Sequence, residues 1–212
     1  TSTTSGLLVS YTSPTYATLP YVQNFESSWS SFCGTNDKPD AYAFLNPISG
    51  NNAWRRDNDG ASASWTGATS GMYSLAGANG TARSARFHSY FIGSGISGIM
   101  YVPVNLSASG NKELSFYYTN PDGSDVMNVY LSNDGGATFN LLATYGVDVS
   151  WSKKTLSLTS TSSSAIFAFV GTSDFGNSDI GLDEINCTLA CSGTPTAGTV
   201  TGTTTVTNCT NY

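Results

Sequence analysis

Charge is what this sequence has least of. Only 10% of its 212 residues are Asp, Glu, Lys or Arg, against about a quarter in an ordinary soluble domain. The eight basic residues are scattered, Arg55-Arg56 and Lys153-Lys154 being the only adjacent pairs, and the net charge is −6. Phosphate backbones are held by clustered Lys and Arg, so a nucleic-acid partner is excluded. Long apolar runs are also missing: nothing approaches the roughly 18 residues of a membrane-spanning helix, which excludes membrane insertion of that kind. There is one histidine, His88, no G-x-S-x-G nucleophile elbow and no C-x-x-C pair. Nucleophilic catalysis and a zinc site therefore have no motif to rest on. His88 sits in the alternating stretch Arg86-Phe87-His88-Ser89-Tyr90, where a structural role outweighs that of a base. The reading is a non-catalytic chain.

Helix signals are almost absent as well. In their place stand 32 Ser, 27 Thr, 22 Gly and 12% aromatic residues. A disordered chain lacks such aromatics, so this one has a core. Turn-forming Gly, Asn, Asp and Ser clusters recur about every 8–12 residues, the spacing of an all-β domain. Leu114, Phe116 and Tyr118 share one face of a strand over Glu113–Tyr118, and Met127, Val129 and Leu131 do so over Asp125–Ser132. Ala165–Gly171 is apolar on both faces, which predicts a strand central to a sandwich. Ala41–Leu45, Ser84–Phe91, Gly98–Val104, Phe139–Tyr145, Lys154–Leu158 and Ile180–Asn186 complete nine or ten strands. Trp54 and Trp151, in strand-like settings, are assigned to the core.

Composition divides the chain in three. Residues 1–18 are Thr/Ser-rich and read as a tail or linker, and 19–190 as the domain. The Thr/Gly-rich stretch 191–212 reads as a flexible extension, linker or start of a following module. Without an initial Met or a leader segment, the chain reads as a mature or excised part of a longer secreted protein. Four cysteines amid polar loops favour disulfides in an oxidising compartment. Cys33 with Cys187 and Cys191 with Cys209 is the preferred pairing, and all three connectivities are open.

Several motifs invite a site. Ser132-Asn133-Asp134-Gly135-Gly136-Ala137-Thr138-Phe139 fits the S-x-D-x-G-x-T-[FW] pattern of a tight hairpin; a propeller would repeat it, and it occurs once, so it reads as a rigid turn. Glu26 and Asp183 each place a carboxylate in an otherwise apolar stretch, near the two ends of the domain. A buried carboxylate is costly unless paired or metal-bound, so the two either staple first and last strands around calcium or face solvent or Arg. Asp57 and Asp59, with Asn51 and Asn52 just upstream, form a second calcium candidate, but they lack the bidentate Glu of a calcium loop and read first as a solvated turn. Asp122, Asp125, Asp174 and Asp179 are weaker acidic loop candidates. Trp65, in a small polar loop, is the tryptophan best placed to be exposed, and with Asn52 and the 51–60 loop it is the candidate ligand-binding surface. Asn79, Asn105, Asn186 and Asn208 match the glycosylation pattern N-x-[ST].

Taken in order, LPYVQNFE, GNNAW, SARF, LSFYY, DVMNVYLSNDGGATF, a Trp before KKTLSL and IFAFVGTSDFGNSDIGLDEI resemble the MAM-like, cleaved-adhesin jelly-roll domains of large secreted bacterial surface proteins, including the haemagglutinin/adhesin regions of gingipain-type proteases. The likeness covers about residues 19–186. It implies a two-sheet antiparallel jelly-roll β-sandwich, structural calcium, and adhesion to glycans or proteins through sandwich-end loops. Glu26 of NFE and Asp183 of GLDEI fall on the acidic positions of its first and last strands. The rival expectations are a structural repeat that packs against neighbouring copies in a fibre or sheath, and an accessory domain of a secreted hydrolase.

Overall fold

A computed structural model describes residues 14–27, 30–32, 36–38, 43–45, 53–56, 77–89, 93–175 and 179–190. Among these residues, thirteen strands and one short 3-10 turn at Ala78–Gly80 follow in chain order: β1 Tyr21–Gln23, β2 Ser30–Phe32, β3 Asn36–Lys38, β4 Ala43–Leu45, β5 Ala53–Arg56, β6 Ala85–His88, β7 Ser97–Val104, β8 Lys112–Asn120, β9 Val126–Ser132, β10 Asn140–Tyr145, β11 Asp148–Leu158, β12 Ala165–Thr172 and β13 Ile180–Leu189. Two antiparallel sheets form the sandwich, in the orders β11-β8-β13-β6-β5 and β10-β9-β12-β7-β4. β1 adds to β13, with Tyr21 opposite Cys187, and β2 and β3 make a separate ribbon. The expected all-β sandwich is the observed one.

The strand periodicities carry directly into packing. Leu114, Phe116 and Tyr118 of one sheet, and Met127 and Val129 of the other, are fully buried, with Leu131 close behind. β12 lies between β7 and β9, Phe167 opposite both Val102 and Leu131, which is why its sequence is apolar on both faces. Phe116 meets Phe169 edge-on across the core at 5.4 Å. Each such side chain contributes about 1.5–3 kcal/mol by leaving water. Close approach decides Gly171, where a Cβ would lie 2.6 Å from the Phe87 ring. Trp54 packs at 5.7 Å from Phe87 and donates its indole N–H to Gly98 O, so it is a core residue as expected. Trp151 is not: it is only half-buried, because β11 is an edge strand and bulges between Asp148 and Ser152.

Three boundaries differ from the sequence reading. β11 begins six residues early, because an edge strand tolerates the polar stretch before Lys154. The β2–β3 ribbon was not expected, lacking apolar alternation. Ala17, inside the expected tail, already pairs in parallel with Val104, exchanging main-chain hydrogen bonds with Pro103 and Asn105. The stretch 191–212 lies outside the described residues. The β10/β11 edge of the sandwich is plugged by Lys154, whose Nζ lies 2.7 Å from Asp148 and over the rings of Tyr118 and Tyr145. An inward-pointing charge of this kind discourages pairing with another sheet.

Candidate functional site

The two acidic residues singled out near the domain's ends come to one place. β1 runs into Asn24-Phe25-Glu26, where Phe25 takes a left-handed φ of 57° and is fully buried. The Asn24 side chain accepts the Glu26 N–H. Glu26, on the turn so formed, accepts the main-chain N–H groups of Ala82 (2.9 Å) and Arg83 (2.8 Å) on a single oxygen. Asp183 lies in the middle of β13 at the start of a bulge, with Glu184 at φ 46°. It accepts Ala78 N–H at 2.8 Å, the Thr81 hydroxyl at 2.9 Å and Glu184 N–H at 2.7 Å. The segment 77–83 is therefore gripped from both sides.

The space within that grip is shaped by oxygen. Gly77 has φ −61° and ψ 170°, a conformation open to any residue, so only room explains its lack of a side chain. A Cβ built there would fall 2.2 Å from Thr81 Oγ1, 2.3 Å from Arg83 O and 2.7 Å from Asp183 Oδ2. Three oxygens thus close around one point, a cradle that a methyl group would fill. Asp183 is fully buried, and burial pushes its carboxyl up to about 7 against the three hydrogen bonds that favour the charged form. One carboxylate, one hydroxyl and one carbonyl converging in this way are oxygens of the kind that suit a hard cation such as calcium, and the Glu26 carboxylate holds the far end of the same segment. Among the described residues no group of three or more His, Cys, Asp or Glu gathers as a metal cluster, so any cation here depends on neutral oxygens as well. Asp57, Asp59, Asn52 and Trp65 lie outside the described residues, as do Cys33, Cys191 and Cys209.

Cys187 is free and buried, and Cys33, its expected partner, lies outside the described residues. Cys187 sits opposite Leu114 and Tyr21 and belongs to the core, and burial pushes its pKa up to about 12. It behaves as a small apolar side chain.

A second buried polar cluster joins residues that the sequence marked only singly. Asp179, at the start of β13, takes Arg86 Nε at 2.5 Å, His88 Nδ1 at 2.9 Å and Ser89 N–H at 3.0 Å. Ser89 donates its hydroxyl to Asp125, which also accepts Asp174 N–H at 2.6 Å. Burial raises the pKa of Asp125, opposed by those hydrogen bonds. Arg86, His88, Ser89, Asp125 and Asp179 are all buried. His88 thus has a carboxylate partner, and at 3% exposure it sits inside the sandwich rather than on its surface. The sequence marked His88 as structural and Asp125, Asp174 and Asp179 as weak acidic candidates, but not their convergence, which joins stretches far apart in the chain.

The SNDGGATF segment is the β9–β10 hairpin. Asp134 accepts the Thr138 hydroxyl at 2.6 Å and its N–H at 2.9 Å, and also takes the Ser132 hydroxyl at 2.7 Å. Gly135 and Gly136 supply the positive φ values of 73° and 98°. Its chemistry is that of a rigid turn.

No family model matches the chain, and no curated protein matches it. Solved structures do. The K1 cleaved adhesin domain of Lys-gingipain from Porphyromonas gingivalis W83 is 17% identical, over 81% of this chain and 98% of that one, with a TM-score of 0.58. The K3 domain of the same protein is 20% identical over 80% and 98%, with a TM-score of 0.56. The K2 domain is 16% identical over 81% and 99%, at 0.55. Likeness at such identities establishes the fold, which is the one implied by the resemblance in sequence.

Proposed function

We propose that this chain is a non-catalytic recognition module of a larger extracellular protein, holding glycan or protein ligands with loops at one end of a calcium-stapled sandwich. The observation that carries the reading is the oxygen cradle at Gly77, set in a fold shared with adhesin domains. Glu26 and Asp183 would hold the ion, with Thr81 and the Arg83 carbonyl completing its neutral donors. Calcium supplies the positive charge that a fully buried carboxylate otherwise lacks. It would tie the end of β1 and the 77–83 segment to β13, leaving the loops at the sandwich ends free to vary in chemistry. The Asp57–Asp59 loop stays a second calcium candidate, and Trp65 with Asn52 a candidate contact surface.

Secretion is part of the same reading: a calcium staple acquires its metal where the ion is plentiful, at extracellular levels. Among the described residues no helix is long and apolar enough to cross a membrane. The rival of edge-to-edge assembly in a fibre finds less support, because Lys154 plugs the β10/β11 edge.

The test is thermal unfolding with millimolar calcium and then with EDTA. A metal bound only by the native state stabilises by about 2.7 kcal/mol at a hundredfold excess over Kd. For a domain of this size that raises Tm by roughly 5–10 °C. Glu26→Gln and Asp183→Asn should abolish the rise. A parallel assay scores binding to immobilised glycans and to extracellular-matrix proteins in calcium and in EDTA. A Tm indifferent to both additions, with no metal in the purified protein, removes the staple. Failure to bind any immobilised ligand removes the recognition role.

A further inference from the structure

Phe175 is 72% exposed and takes a φ of 54°. A bulky side chain in the left-handed region is held there by its surroundings. Those surroundings are specific. β12 is the central strand of its sheet, and its last residue, Thr172, pairs with Ser97 of β7 on one side and Val126 of β9 on the other. Ser173 to Phe175 therefore emerge between the loop before β7 and the loop before β9. Ser173, fully buried, exchanges main-chain hydrogen bonds with Gly95 and Ile96 and donates its hydroxyl to Gly93 O at 2.7 Å. Asp174 gives its N–H to buried Asp125 at 2.6 Å, and its carbonyl accepts the Ser124 hydroxyl at 2.9 Å. The chain is clamped on both flanks up to the residue whose ring then stands in water. Phe175 is the one aromatic among the strongly exposed large apolar side chains of the described residues.

We propose that Phe175 is a pre-organised stacking platform for a pyranose ring of a neutral glycan, at the sandwich end formed by the 93–96, 121–125 and 173–175 loops. This rests on the recognition reading and names its ligand class and place. A phenyl ring offers an apolar face and no polar handle, so its ligand must bring an apolar face of its own. The surrounding loops supply hydroxyls from Ser94 and Ser124 and carboxylates from Asp122 and Asp174, and their described residues include no Lys or Arg. Such a rim accepts hydrogen bonds from sugar hydroxyls and repels carboxylated or sulfated sugars. Glycines 93, 95 and 123 leave these loops with little side-chain bulk, which suits a flat sugar face. Rigidity lowers the entropy lost on binding, and it gives the unfavourable φ a purpose.

The experiment is affinity electrophoresis of the whole chain through gels containing xylan, mixed-linkage β-glucan or galactan, with polygalacturonate and polylysine as charged probes. At least one neutral polysaccharide should retard the protein, and Phe175→Ala should weaken that retardation about tenfold or more. Phe175→Trp should keep it. Phe175→Gly should lose binding while its Tm stays level or rises, since glycine relieves the backbone; a residue needed only for folding would lower it. Retardation that survives Phe175→Ala within about twofold overturns the site and leaves glycan recognition standing. Binding to polygalacturonate or polylysine alone overturns the ligand class. No retardation by any neutral polysaccharide overturns the inference, while binding to immobilised matrix proteins in the assay above would keep the recognition reading alive.

Discussion

Replacing Gly77 by alanine separates space from backbone freedom more cleanly than any other change in this molecule. Its φ of −61° and ψ of 170° suit alanine without strain. The added methyl, however, would stand 2.2 Å from Thr81 Oγ1, 2.3 Å from Arg83 O and 2.7 Å from Asp183 Oδ2. Carbon and oxygen approach comfortably only at distances about 1 Å longer. Thr81 could rotate, but the Arg83 carbonyl is main chain, so the segment itself must move. Asp183 then loses Ala78 N–H and the Thr81 hydroxyl, two of its three donors. Each buried polar group left unpaired costs about 1–3 kcal/mol, so the two together cost about 2–6 kcal/mol. At about 2–4 °C per kcal/mol, Tm falls by roughly 4–24 °C. Gly80→Ala, three residues on, is the control. There φ is 86° and nothing lies within 4 Å of a built Cβ, so only the left-handed backbone penalty of about 1 kcal/mol applies. Calorimetry of both variants in calcium and in EDTA decides the matter. Gly77→Ala should be the less stable and should lose its response to calcium; Gly80→Ala should keep that response. Equal melting temperatures for the two, or a calcium shift retained in Gly77→Ala, would refute the cradle.

Two further outcomes test other parts of the fold. Gly171→Ala drives a methyl into the Phe87 ring, itself backed by Trp54, and should cost about 3 kcal/mol by chemical denaturation; Phe87→Leu in the same chain should recover part of it, and a lone Gly171→Ala variant of unchanged stability would mean the sheets are not so close. In the β9–β10 turn, hydrogen bonds from Thr138 and then Ser132 hold the Asp134 carboxyl down to about 2. A depressed folded-state pKa stabilises above the unfolded value of about 3.9 and loses that contribution as pH falls toward 2. Urea midpoints measured between pH 5 and 2 should therefore drop less steeply for Asp134→Asn than for the parent chain, and parallel curves would show that the turn does not hold the charge.

The fold was legible because its strands obey local rules. Period-two alternation in Leu114–Tyr118 and Met127–Leu131 survives into buried faces, and the doubly apolar Ala165–Gly171 could only be an interior strand. Gly135-Gly136 and Asp134 wrote the hairpin into eight residues. What stayed hidden has few local rules. Edge strands tolerate polar residues, so β11 ran further than its apolar pattern and left Trp151 half in water. The burial of Cys187 depended on which strands face each other, which no local pattern shows.

The sequence by itself determined the class of fold, because hydrophobic period and turn chemistry act over a few residues. It also picked out Glu26 and Asp183, since a carboxylate in an apolar stretch is anomalous wherever it lies. Only the tertiary structure could bring those two, 157 positions apart (183 − 26), to the same 77–83 segment. It alone showed why residue 77 is glycine, which no backbone angle demands. It alone raised Phe175 from an ordinary loop residue to a clamped, solvent-facing ring, because the clamp is built from three loops that the chain reaches at separate times. Local interactions set the elements, and long-range hydrogen bonds between loops, invisible to any short window of sequence, set where their polar groups converge.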